Sequence, residues 1–156
     1  MNEPRDSKIK LTNVELSGFA IESLDYLCNF FKKDKIYLFQ RALQIIQTLH
    51  IYDSKGYYLS TNLNPDLSEW KGTTILEVIE KLTEDTFPEN TSKVTITLTP
   101  DVYKIVSDNA ILGNYTNVEK FLINSIILFR ILTERELNGK QLFVVHDGKI
   151  TEIKII

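Results

Sequence analysis

The stretch KVTITLTPDVYKIVSDNAILGNYTNVEKFLINSIILFRILTERELN, Lys93–Asn138, decides how the rest of the chain is read. Val94, Ile96 and Leu98 alternate with Thr95 and Thr97, a period of two that predicts a half-buried strand with one apolar and one hydroxyl face. Thr99-Pro100-Asp101 then opens a helix, with Thr99 as N-cap, Pro100 at the first helical position and Asp101 near the positive helix end. Val102, Ile105, Val106 and Ala110 share one face of that helix, which Gly113 and Asn114 stop. Thr116-Asn117-Val118-Glu119 forms a capping box for a second helix carrying Val118, Phe121, Leu122, Ile126, Phe129 and Leu132, and running to Asn138-Gly139. The unit is strand, short helix, glycine-bearing turn, longer helix.

The first part of the chain repeats this order. Lys8-Ile9-Lys10-Leu11-Thr12 alternates as a strand does, although Val14-Glu15-Leu16 alternates as well and leaves the strand registration open. Ser17-Gly18 precedes a helix with Ile21, Leu24, Leu27 and Cys28 on one side, ended by Phe30-Phe31-Lys32-Lys33. Asp34 caps the next helix, which carries Leu38, Phe39, Ala42, Leu43, Ile46 and Leu49 and ends near Lys55-Gly56. Superposing the second helices aligns Leu38-Phe39 with Phe121-Leu122, Ala42-Leu43 with Ser125-Ile126, Ile46 with Phe129 and Leu49 with Leu132. Each helix is followed by a glycine (Gly56, Gly139) and an alternating apolar run, Tyr57–Thr61 and Gln141–Val145. Self-similarity of this kind, here in pattern with few identities, dictates the fold reading.

Between the halves lies a segment without a counterpart. Asn64-Pro65-Asp66 breaks the chain, Trp70 and Gly72 follow, and Thr74-Ile75-Leu76-Glu77 caps a helix running to about Thr83, with Ile75, Leu76, Ile79 and Leu82 on its apolar face. Thr83–Ser92 is a polar linker. Asp147-Gly148, set between Gln141–Val145 and Ile150–Ile156, predicts a terminal hairpin. The expected organisation is a disordered tail over 1–7, a first unit over 8–61, an insert helix and linker over 62–92, and a second unit over 93–156.

The strand, the Thr-Pro helix opening, the glycine turn and the apolar second helix resemble the ribbon-helix-helix family. The resemblance implies an α+β fold of tandem ribbon-helix-helix-like units, paired as a pseudo-dimer within one chain, with an extra strand or hairpin after each second helix. It further implies that the paired strands enter the DNA major groove and that the start of each second helix grips a phosphate. On that geometry the DNA-binding residues are Lys8, Lys10 and Thr12 from one strand and Lys93, Thr95 and Thr97 from the other. Lys35, Thr116 and Asn117 stand at the helix starts, where free backbone N–H groups suit an anion. Asp34 departs from the family pattern, because a carboxylate there repels phosphate, and the second strand is richer in threonine than the family's base-reading strands.

The chain has 156 residues, a hydrophobic fraction of 43% and a formal charge of −3, values ordinary for a globular protein and unlike those of a strongly basic one. One cysteine, Cys28, excludes an intrachain disulfide; the polar start MNEPRDSK carries no apolar signal core; no run is long enough to span a bilayer. A cytoplasmic protein is expected. Neither His50 nor His146 has partners at metal-ligand spacing, glycines are scattered at element ends, and no carboxylate pair stands out, so neither an enzyme nor a cofactor or metal is expected. The function expected is a small DNA-binding transcriptional regulator, with self-association left open. The alternative is a non-enzymatic adaptor or antitoxin-like protein that binds another protein and has lost DNA. Tyr37, Tyr52, Tyr57, Tyr58 and Trp70 would supply its docking surface, or else cover the ends of the core.

Overall fold

Two hydroxyl side chains set the geometry of the whole chain. Ser17 Oγ accepts from Ala20 N (3.2 Å) and Thr99 Oγ1 from Val102 N (3.4 Å), so each of two strands turns into a helix with no intervening loop. The computed structural model describes residues 12–84, 93–113, 115 and 117–156, with 12–15 and 93–96 described as backbone alone. The first unit is β1 (Thr12–Ser17), α1 (Gly18–Phe31) and α2 (Lys35–Ser54). The second is β3 (Lys93–Leu98), α4 (Pro100–Leu112) and α5 (Val118–Leu137). Between them lie β2 (Tyr58–Ser60), a 3-10 turn (Pro65–Leu67) and α3 (Ile75–Glu84); β4 (Leu142–His146) and β5 (Lys149–Ile153) close the chain. The fold is α+β.

β1 and β3 pair antiparallel as a two-stranded ribbon, with Thr12 opposite Leu98, Val14 opposite Ile96 and Leu16 opposite Val94. This corrects the expected first strand, Lys8–Thr12. Both segments alternate with period two, so alternation could not choose between them. The cap chooses: Ser17 ends β1 and starts α1 at once, which carries the strand through Val14 and Leu16 and buries Leu16 to 1% exposure. Lys8, Lys10 and Thr116, together with the expected tail over 1–7, lie outside the described residues.

The long helices α2 and α5 have 20 residues each and correspond end to end, Lys35 to Val118 and Ser54 to Leu137. Leu38, Ala42, Ile46 and Leu49 are buried, as are Phe121, Ser125, Phe129 and Leu132, their aligned partners. α5 is the central element. Phe121, Leu122, Ile126, Ile127, Leu128 and Phe129 are all buried, the mark of a helix packed on every side. Ser125 and Thr133 survive there because their hydroxyls donate to Phe121 O (2.7 Å) and Phe129 O (2.8 Å), within their own helix.

The strands that follow the second helices come together in a separate antiparallel sheet of order β2-β4-β5, with Leu59 opposite Val144 and Val145 opposite Ile150. Its central strand β4 buries Leu142, Phe143, Val144 and Val145 in succession, as a strand covered on both faces does. Asp147 (φ 48°) and Gly148 (φ 77°) make its hairpin turn, whose two positive φ angles account for the Asp-Gly pair. α3 starts with Thr74 Oγ1 accepting from Glu77 N (3.1 Å) and buries Ile75, Val78 and Ile79, packing on α2 and α5.

Candidate nucleic-acid interface

The ribbon's two faces follow from its register. Leu16 and Leu98 are buried while Thr97 is exposed, so the two-residue period puts Val94, Ile96 and Leu98 in the inward row with Val14 and Leu16. Thr12 stands opposite Leu98 and belongs by register to that inward row, which corrects its expected place among the outward residues. The outer row is Asn13 opposite Thr97, Glu15 opposite Thr95, and Ser17 opposite Lys93. By register Asn13 and Glu15 share a row with Lys93, Thr95 and Thr97, in the places expected of Lys10 and Lys8. The Val14-Glu15-Leu16 alternation carried that signal in the sequence. The row holds one lysine and one glutamate, so it is polar and close to neutral.

Both second helices begin with a side-chain cap. Asp34 Oδ1 accepts from Tyr37 N (2.8 Å) at α2, and Asn117 Oδ1 accepts from Lys120 N (2.7 Å) at α5. Asp34 therefore puts a negative charge at the helix start where a phosphate would bind. Lys35 Nζ lies 3.2 Å from Asp25 Oδ1, an exposed ion pair. Lys32 and Lys33 add exposed positive charge to the same α1–α2 turn; Lys32 takes the left-handed conformation (φ 57°) that ends α1, and Lys33 stands 5.3 Å over the Tyr37 ring. Sequence reading treated these two lysines as the end of a helix. Three lysines in four positions around a capping Asp34 was the available signal.

The groups with displaced pKa lie away from the ribbon. Burial pushes the His50 imidazole down to about 4 and the Tyr115 phenol up to about 12. The two rings stand 6.2 Å apart, both against Phe121, and neither His50 nitrogen has a hydrogen-bond partner. Both are core rings. Burial also raises the Cys28 thiol, the opposite of what a nucleophile needs. Among the described residues no three of His, Cys, Asp and Glu gather as a metal site, and no helix is long and apolar enough to cross a membrane.

Most of the unassigned aromatic residues cover the core. Trp70 is buried beneath Arg135, 5.2 Å from the ring centre, and Tyr57 meets Tyr52 edge-on and His146 at a tilt, with 4.8 Å between ring centres in each pair. Tyr37 is half exposed. Comparison with protein-family models, with curated proteins and with solved structures found no match.

Proposed function

We propose that the chain is a small DNA-binding regulator of the ribbon-helix-helix type, in which a single chain supplies both halves of the pseudo-dimer. The observation that carries this reading is the antiparallel pairing of β1 with β3, each strand leading through a hydroxyl cap into two helices. A two-stranded ribbon fits the major groove, and its outer row offers suitable chemistry. In that row Asn13 would pair with adenine, Thr95 and Thr97 would meet a thymine methyl or a hydrogen-bonding edge, and Lys93 would reach guanine or phosphate. Lys32, Lys33 and Lys35 at one helix turn, with Asn117 and Lys120 at the other, would flank the groove along the phosphates. Glu15, in the same row by register, would oppose binding.

The second reading is a protein-binding adaptor or antitoxin-like protein, and the nearly neutral outer row together with Asp34 favours it. One experiment separates the two. Fluorescent mixed-sequence duplex DNA is titrated with the protein at two salt concentrations. The DNA reading requires affinity that falls steeply with salt, with a slope near −0.9 for each phosphate neutralised. Replacing Lys32 and Lys33 with Ala should lower that slope by about 1 to 2, and Glu15→Gln should tighten binding. Absence of binding at low salt by the folded protein overturns the DNA reading and favours the adaptor.

A further inference from the structure

The two halves do not close alike. On one side α1 of the first unit packs on α5 of the second. Arg130 Nη1 donates to Ser23 Oγ (3.2 Å), its guanidinium lies 4.6 Å from the Tyr26 ring centre and 5.8 Å from that of Phe19, and Ile127 is buried. The pseudo-equivalent side, where α4 meets α2, instead holds an apolar groove of about 600 Å³. Ile21, Leu24, Phe39, Leu43, Leu98 and Val102 line it, and Ile36 and Ile105 stand at its rim, 71% and 50% exposed. The reason lies in three positions. Where α5 has Ile123, Ile127 and Arg130, the aligned positions of α2 are Gln40, Gln44 and Gln47, and all three glutamines line the groove. Carboxamides in place of two isoleucines and the Arg130 that reaches Ser23 keep this wall polar, and among the described residues nothing on it reaches across to α4 as Arg130 reaches across to α1.

We propose that the groove binds an extended segment of a partner protein, apolar at alternate positions and uncharged where it runs along the glutamines. The wall chemistry selects the occupant. A helix has already satisfied its own backbone, and a hydrocarbon ligand offers no hydrogen bond, so either would leave the exposed Gln40, Gln44 and Gln47 to water. An extended backbone presents N–H and C=O groups on both edges. Gln40 and Gln44 are separated by about 6 Å along the helix axis, close to the roughly 6.7 Å two-residue repeat of a strand. Alternate side chains then point into the Phe39, Leu43 and Val102 floor. Among the described residues Lys35, at the start of α2, is the one charged side chain in the lining, so a carboxylate on the segment is favoured at that end. Thr97 lines the groove as well as belonging to the ribbon's outer row, so an occupant would touch the ribbon. The proposal does not depend on DNA binding.

The test is to pan a phage-displayed random 12-residue library against the immobilised full chain, then titrate a fluorescein-labelled enriched peptide by anisotropy. Enriched peptides should alternate apolar and uncharged polar residues. Ile105→Arg, at an exposed rim position, should weaken binding about tenfold or more. Gln44→Leu, also at the surface, should weaken it as well even though it makes the groove more apolar. Four results overturn the proposal. Panning gives no enrichment. Enriched peptides show helical periodicity and bind Gln44→Leu more tightly. The unliganded chain sediments as a dimer that Ile105→Arg splits, which makes a second copy the occupant. Peptide binds only an Ile9→Asp, Leu11→Asp variant, which makes the chain's own first residues the occupant.

Discussion

His50 should make this protein lose stability on mild acidification, before most carboxylates protonate. Its ring is buried at 4% exposure between Tyr115 and Phe121, with neither nitrogen hydrogen-bonded, and burial lowers its pKa from 6.5 to about 4. The fold keeps the imidazole neutral down to about pH 4, whereas the unfolded chain takes up a proton once the pH falls below about 6.5. Stability is therefore full above 6.5, falls as the pH drops toward 4, and is level with respect to this group below that. Between pH 7 and pH 5 the loss comes to about 2 kcal/mol, and it levels off near 3 kcal/mol. The assay is urea denaturation of the wild type and His50→Leu at pH 7, 6 and 5. At pH 7 the variant should be near neutral or slightly more stable, since no hydrogen bond is lost and a desolvated polar ring is removed. At pH 5 it should exceed the wild type by about 2 kcal/mol beyond any difference at pH 7. Parallel pH profiles for the two proteins would refute the reasoning, as would an NMR titration showing His50 protonated at pH 6 in the folded state.

Three further outcomes follow from packing. Gly113→Ala should destabilise by about 1–3 kcal/mol in the same denaturation assay, because a Cβ there meets the Tyr115 ring at 2.5 Å and His50 Cε1 at 2.7 Å although φ is an ordinary −82°. Arg130→Ala should cost about 1–2 kcal/mol through the lost Ser23 and Glu134 contacts and ring stacking, with Arg130→Lys restoring only part, since an ammonium cannot stack or fork as a guanidinium does. Glu136→Ala should release the C-terminus. Glu136 Oε2 accepts from Ile155 N (2.9 Å) and Ile156 N (3.3 Å), so hydrogen exchange at the Ile155 amide should accelerate, with a stability loss of about 2 kcal/mol.

Local order was legible because each element carries its own stop and start chemistry. Ser17, Asp34 and Thr99 each accept from a backbone N–H three residues on, and Asp147-Gly148 supplies the positive φ angles of its hairpin; at α5 the cap is Asn117, one residue after the Thr116 that the capping box pointed to. The correspondence of α2 with α5 was equally visible, since a shared apolar face leaves the same spacing in both. The strand of the first unit was harder. Two neighbouring segments had the same period, and only the cap at Ser17 together with pairing to β3 selected Thr12–Ser17. That shift by a few residues replaced two lysines with Asn13 and Glu15 in the outer row and changed its charge from basic to neutral.

Sequence by itself determined the helices, their caps and that the pattern runs twice, because these depend on contacts a few residues apart, while the bounds of the first strand needed its partner β3. Tertiary structure alone decided the pairing of β2 with β4 and the opening of the groove between α2 and α4. The same three glutamines that read as an ordinary solvated face along α2 become a groove wall only when α4 stands opposite, because a surface acquires that meaning from what faces it across space.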